Sequence, residues 1–153
     1  MSVIGEECDV FVGFEEIEVR KNLVQMLADT RKAMPVNAIN DKAILSTTSE
    51  FGYGNYIGAG VIIGSHSKVG SHTIIHSSAI INHEVEIGDY VQIGAGSIIN
   101  SGVVIKQEVF VGSGVIIVSG VKIAAGARLG AGSVVIKDVE EGQTVFGNPA
   151  ETV

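Results

Sequence analysis

Read every sixth residue from Ile57, the chain gives Ile57, Ile63, Val69, Ile75, Ile81, Ile87, Ile93, Ile99, Ile105, Val111, Ile117, Ile123, Leu129 and Val135, branched aliphatics without exception. Four positions further on in each unit stand Val61, Ser67, Thr73, Ala79, Val85, Val91, Ser97, Val103, Val109, Val115, Val121, Ala127, Ser133 and Val139, all small or β-branched. Glycine follows the aliphatic at 58, 64, 70, 88, 94, 112 and 130, where a bend too tight for a Cβ is expected. A period of six held over about eighty residues is the pattern of a parallel β-helix built from hexapeptides.

In such a solenoid each hexapeptide supplies a short strand and a turn, and three of them close one triangular coil around the aliphatics. Eighteen residues then return the chain to the same corner, one strand spacing of roughly 4.8 Å higher. Stacking buries an interior that no single repeat could bury alone. The frame extends back through Ile39, Leu45 and Phe51, so residues 36–139 are expected to form an all-β prism of about five coils. A β-sandwich of alternating strands does not hold one period of six without interruption.

Outside the repeat the texture changes. In residues 1–35, Asp9-Val-Phe-Val-Gly13 reads as a short buried strand and Glu15 to about Lys32 as a helix with Leu23, Val24 and Leu27 on one face. The pair reads as half of an αβ unit, joined to the prism by Ala33-Met-Pro35. Residues 140–153 form the other terminus. Lys137-Asp-Val-Glu-Glu-Gly142 leaves the period, and Gly147-Asn-Pro149-Ala150 reads as a turn that caps the open coil.

Composition agrees with thin, regular packing. Glycine contributes 20 residues, tryptophan is absent and aromatics make up 5%, so Ile, Val, Leu and Ala must fill the interior. Ten basic residues against seventeen acidic give a net charge of −7, which argues against nucleic acid as a partner, since few phosphates could be neutralised. The lone Cys8 has no intrachain disulfide partner, and MSVIGEECDV carries neither the basic flank nor the apolar core of a signal peptide. No apolar run approaches the roughly 20 residues of a membrane helix. A cytoplasmic protein with no membrane partner is expected.

With Ile81-Asn-His83-Glu84-Val-Glu-Ile-Gly-Asp-Tyr, Gly130-Ala-Gly-Ser-Val-Val135, Lys137-Asp138 and Gly147-Asn-Pro-Ala150 in view, the chain resembles the hexapeptide-repeat acyltransferases. It is closest in pattern to the branch that acetylates nucleotide-linked amino sugars or sialic acids. Asp9-Val-Phe-Val and Arg20-Lys-Asn further resemble the last strand and helix of that family's small nucleotide-binding domain. The resemblance implies a left-handed parallel β-helix, an exception to the right-handed crossover rule. It also implies a homotrimer, with acetyl-CoA bound between neighbouring prisms and a sugar or nucleotide-sugar as acceptor. Two departures stand out. The strand and glycine-rich turn that open the nucleotide-binding domain have no counterpart here, and Phe14-Glu15-Glu16 replaces a glycine-polar turn. Where many relatives carry a second histidine, nine residues after the first, this sequence has Gln92, which can donate a hydrogen bond but cannot shuttle a proton.

Acetyl transfer from a thioester needs a base to take the nucleophile's proton, and imidazole suits that near neutral pH. Of His66, His72, His76 and His83, His83 matches the family's general base. Glu84 beside it would stabilise the imidazolium. Eighteen residues before Glu84 stands His66, a rival partner one coil below, and Ser65, His83 and Ser101 fall in one column. The oxyanion of a tetrahedral intermediate needs donors; the resemblance places a backbone amide at Ser101 and CoA contacts at Gln92, Ser113 and Ala131. Arg20 and Glu15 fall where the family's substrate domain would contact the acceptor. Two other functions share this architecture. One is a zinc site of three histidines as in γ-class carbonic anhydrases, for which the histidine spacing here is wrong. The other is a non-catalytic scaffold whose substrate domain has been lost.

Overall fold

The computed structural model describes residues 8–31 and 34–153. From Ala38–Ile39 to Val134–Val135, strands of two residues recur every six. The first residue of each pair points out and the second points in, so that Ile57, Ile75, Ile81, Ile93, Ile99 and Ile117 are completely buried. Each such side chain contributes roughly 1.5–3 kcal/mol of transfer free energy. Pairing is parallel, with each strand bonded to the one eighteen residues on: Tyr56 opposite Ile74, Ile74 opposite Gln92, Gln92 opposite Phe110. Three sheets of eight, six and five strands result, wound as a left-handed β-helix of about six coils.

The in-period strands alone, seventeen from Ala38–Ile39 to Val134–Val135 at three to a coil, exceed the expected five coils, and the ladder continues where the period stops. Thr144–Gly147 pairs in parallel with Arg128–Leu129 through Arg128 opposite Thr144, an offset of sixteen residues instead of eighteen. The chain then reverses through Asn148 and Pro149, and Ala150–Thr152 lies antiparallel on that last strand. Phe146 of this hairpin covers Gly130.

Polar groups inside the prism are spent on holding coils together. Ser67 Oγ donates to the Asn82 carbonyl at 2.7 Å and accepts from the Val85 amide at 3.2 Å. Ser97 repeats this with Gly112 and Val115, and Asn55 ties Gly70 to Thr73 in the same way. A buried hydroxyl with both capacities used is no penalty to the core.

The outward residues give each face its own character. One face is aromatic and polar, with Tyr56, Ile74, Gln92, Phe110 and Arg128 in line. A second is a ladder of Ile44, Ile62, Ile80, Ile98, Ile116 and Val134. The third alternates charge through Glu50, Lys68 and Glu86, then carries Val104 and Lys122.

At the corners the glycines do a different job from the one expected. Those following the aliphatic are absent from the positive-φ positions; a Cβ on Gly64 would lie 2.7 Å from the His83 amide nitrogen, and one on Gly94 2.4 Å from that of Ser113. Close approach of the next coil, not backbone conformation, excludes the side chain. The left-handed residue is the third after the aliphatic, and at six places it is not glycine: His66, His72, Ser78, Glu84, Tyr90 and Glu108, with φ between 56° and 61°. Such a conformation costs a residue with a Cβ roughly 1–2 kcal/mol.

Before the prism, Ile17–Arg31 is helical, and Lys32 and Ala33 of the expected helix end and linker lie outside the described residues. Val24 and Leu27 pack with Val12, Val10 and Leu23. The expected strand at 9–13 does not form. Val12 is buried, and among the described residues the segment's one backbone bond to a neighbouring segment runs from the Val36 amide to the Val10 carbonyl at 2.9 Å.

Candidate active site

His83 stands on the turn between Ile80–Ile81 and Glu86–Ile87, at the corner shared by the aliphatic and charged faces. Its Nδ1 lies 3.5 Å from Glu84 Oε2, with the two side chains 58% and 67% exposed. Among the described residues His66 forms no ion pair with Glu84; the coil below meets this turn through its backbone, the Glu84 amide donating to the Ser65 carbonyl at 2.9 Å. One coil above, the Gly102 amide donates to the His83 carbonyl at 3.2 Å, which brings Ser101 over His83, and the Ser101 amide has no partner among the described residues. A histidine with a carboxylate neighbour and a free amide one coil away are the parts a base and an oxyanion donor require.

The other predicted residues lie elsewhere on the chain. Ser113 and Ala131 stack in the corner between the aromatic and aliphatic faces, where the Gly132 amide donates to the Ser113 carbonyl at 2.9 Å. Gln92 faces outward on the aromatic face, its Nε2 3.4 Å from His76 Nε2. Within one chain, therefore, His83 and the three positions expected to meet CoA occupy different corners and faces.

The N-terminal segment crosses the aromatic face and closes a cavity of about 250 Å³ lined by Phe11, Gly13, Glu15, Tyr56, Ile74 and His76. Glu15 Oε1 approaches His76 Nε2 to 3.7 Å, and Tyr56 presents its ring between Phe11 and His76, with centroid distances of 6.3 and 6.4 Å. A neighbouring groove of about 400 Å³ runs from Glu15 past Gln92 and Phe110 to Arg128, whose guanidinium lies 4.7 Å from the Phe110 ring centroid. A larger concavity of about 510 Å³ is the open charged face, and none of the predicted residues walls it. His76, Tyr56 and Phe11 were not singled out from sequence. His76 could have been, because Ile74 lies directly below Gln92 and His76 follows two residues later.

Arg20 is neither on the helix surface nor at the cavity wall. It is 1% exposed, and its Nη1 donates to the carbonyls of Phe14 and Glu15 at 3.0 and 3.3 Å. Burial holds its pKa below the usual arginine value, partly offset by Tyr90 and Glu15. The guanidinium lies 5.9 Å from the Tyr90 ring centroid, and Tyr90 stacks on the buried His72 at 4.9 Å. Burial pushes the His72 pKa down and the Tyr90 pKa up. Next to Arg20, Lys21 reaches Glu108 at 2.8 Å. His72, Tyr90 and Glu108 form one corner column, and the helix is fastened to it.

Among the described residues no group of three His, Cys, Asp or Glu side chains could hold a metal ion, and no helix is long and apolar enough to cross a membrane.

Residues 66–101 match the family described as bacterial transferase hexapeptide (six repeats). PerB from Caulobacter crescentus, solved in complex with CoA and GDP-perosamine, has a TM-score of 0.89 and 31% identity, covering 94% of this chain and 69% of that chain. A histidine-to-alanine mutant of GDP-perosamine N-acetyl transferase from the same organism, in the same complex, gives a TM-score of 0.88 at 30% identity, over 94% and 68% of the two chains. WeeI from Acinetobacter baumannii AYE gives 0.93 at 26% identity, over 99% and 74%. No curated protein matches the sequence. The prism is that of a hexapeptide-repeat acyltransferase. More narrowly, the chain belongs to the family of sugar acetyltransferases that includes the GDP-perosamine enzyme of Caulobacter crescentus.

Proposed function

We propose that this protein is an acetyl-CoA-dependent N-acetyltransferase acting on a nucleotide-linked amino sugar, with His83 as general base. The observation that carries the reading is His83 on an exposed corner beside Glu84, in a prism that superposes on relatives crystallised with CoA and a nucleotide-linked amino sugar. The acceptor nitrogen attacks the thioester carbonyl, forming the C–N bond as His83 takes its proton. Collapse of the tetrahedral adduct breaks the C–S bond, and the imidazolium returns the proton to the departing sulfur. One amide and one CoA thiol result from one amine and one thioester. Glu84 stabilises the imidazolium, and the Ser101 amide is placed to donate to the oxyanion.

Assembly as a homotrimer would complete the site. The six-residue aliphatic ladder supports it, since Ile44 is 65% and Ile62 39% exposed in the isolated chain, and a contiguous apolar strip of this kind marks a protein interface. Packing prisms through that face brings the His83 corner of one copy toward the aromatic face of the next, uniting His83 with Gln92, Ser113 and Ala131. Acetyl-CoA and nucleotide sugars place the reaction in the cytoplasm, and the acetylated sugar is of the kind consumed in surface polysaccharide or glycan assembly. The test is an acceptor screen monitored by free-thiol release, with nucleotide-linked and free amino sugars side by side. Thiol release with at least one nucleotide-linked amine is expected; none with any acceptor sinks the reading.

A further inference from the structure

We infer that the N-terminal segment and helix Ile17–Arg31 form a strap that is released from the prism in acid while the prism stays folded, the trigger being proton uptake by the buried His72.

Strap and prism do not share an interior. Val12, Val24 and Leu27 pack with Val10 and Leu23, and among the described residues none of these side chains belongs to the core of the prism. The bonds from Arg20 Nη1 to the carbonyls of Phe14 and Glu15 also run within the strap. Polar and aromatic contacts hold it in place. Lys21 reaches Glu108 at 2.8 Å, Arg20 and Lys21 lie 5.9 and 5.7 Å from the Tyr90 ring centroid, and Phe11 faces Tyr56. An element fastened in this way can open below the free energy of global unfolding, and a charge placed inside the joint is enough to weaken it. Release uncovers the part of the aromatic face that carries Tyr56, His76, Gln92 and Phe110.

His72 is where such a charge would appear. It is 5% exposed, its ring is stacked on Tyr90 at 4.9 Å, and its Nδ1 is buried without a hydrogen-bond partner. Gly54 closes that side, since a Cβ there would fall 2.5 Å from Nδ1, and Pro35 backs it. A neutral ring tolerates these surroundings. A protonated one is a buried cation with an unmet N–H, beside an Arg20 that is itself buried with Nε and Nη2 unpartnered. The charged groups around it divide. Asp89 favours the protonated ring and Arg20 opposes it, while burial outweighs both and keeps the docked ring below its ordinary pKa. Lys21, over the same Tyr90 ring, adds positive charge that Glu108 pairs. Gly54 and Pro35 bring none. The released ring therefore binds a proton more readily than the docked one. Docking is at full strength above about pH 6.5, the ordinary histidine value, and weakens as pH falls from there to the lower pKa of the docked ring. Acid would tighten one contact, Glu15 with His76 at 3.7 Å, but the Glu15 side chain is 65% exposed and solvent screens it.

Off the prism, a helix of fifteen residues is marginal in water, so release is read as lost amide protection. The experiment is hydrogen exchange with mass spectrometry on the full chain from about pH 7.5 to about pH 5, corrected for the intrinsic pH dependence of exchange. Below about pH 6.5, exchange of peptides covering Ile17–Arg31 should accelerate by up to about tenfold per pH unit, the slope of one proton, and then level off. Peptides from strands Ile98–Ile99 and Ile116–Ile117 should stay protected throughout. His72→Gln should abolish the acceleration. Asp89→Asn keeps an oxygen for the Ser71 amide, which Asp89 Oδ1 accepts at 2.7 Å, but loses the charge; it should move the levelling-off to lower pH. Helix protection that does not vary with pH in the wild type overturns the inference. So does an acceleration that survives in His72→Gln, which would assign it to another group, or a simultaneous loss of protection in helix and prism. Should His72→Gln fail to fold, Asp89→Asn decides, and an unmoved end point overturns the inference.

Discussion

Two corners of the same prism put side chains where the backbone prefers glycine, and to opposite ends. At the His83 corner, Glu84 takes φ 58°, yet its carboxylate stays in solvent with a single loose partner. At the next corner, His72, Tyr90 and Glu108 take the same conformation in three successive coils, and each is engaged: His72 and Tyr90 stacked, Tyr90 under Arg20 and Lys21, Glu108 paired with Lys21. The second corner recovers its strain as packing. The first recovers little, which is the pattern expected when a residue is kept for chemistry instead of stability.

The comparison can be broken most sharply at His83. His83→Ala should lower kcat by 10² to 10⁴, roughly the range of general base catalysis, with thermal stability and oligomeric state unchanged; retained turnover would remove His83 from the mechanism. Tyr90→Gly should do the reverse. It relieves the backbone but removes the stack on His72 and the cation contacts, so chemical denaturation should show a net loss of about 2 kcal/mol.

A smaller effect separates the corners by pH. Burial, and then the positive charge of Arg20, lower the His72 pKa from 6.5, with Asp89 opposing. The unfolded chain therefore binds more protons than the folded one just below that value, so stability should fall as pH drops through it and level off below the folded pKa. His72→Gln should flatten that slope, and an unchanged pH profile would exclude His72 as its source. The least effect is expected for Glu84→Gly. Relief of the left-handed strain, offset by the extra freedom of glycine when unfolded, should leave the protein as stable or up to about 1 kcal/mol more so. Turnover should nevertheless fall, and a variant that loses stability would show that Glu84 holds the turn together.

The prism was legible because one interior position repeats without exception from Ile57 to Val135, and nothing but a six-residue coil geometry explains it. The strand that closes the last coil was not legible because it follows an offset of sixteen, and hydrophobic period carries no information once the period changes. Glycine after the aliphatic was legible as a requirement and misread as to cause, since contact with a residue nineteen positions later cannot be seen locally. At the site, His83 and Glu84 stand together as neighbours in sequence. The Glu15 and His76 pair was illegible because it joins the N-terminal segment to a face whose outward residues vary freely. The burial of Arg20 was illegible for a related reason: nothing local in a short helix shows which corner it covers.

Because three turns make a coil, the prism counts residues in two units at once. Inserting or deleting eighteen residues lengthens or shortens it and leaves every later side chain on its own face. Inserting six leaves the interior pattern equally satisfied, but everything downstream moves on by one face, which cuts the aliphatic ladder and continues half of it elsewhere. Such a chain should still fold while losing the face proposed above to join copies. Folding and assembly are thus indexed separately along the same repeat, the first in steps of six residues and the second in steps of eighteen between Ile44 and Val134.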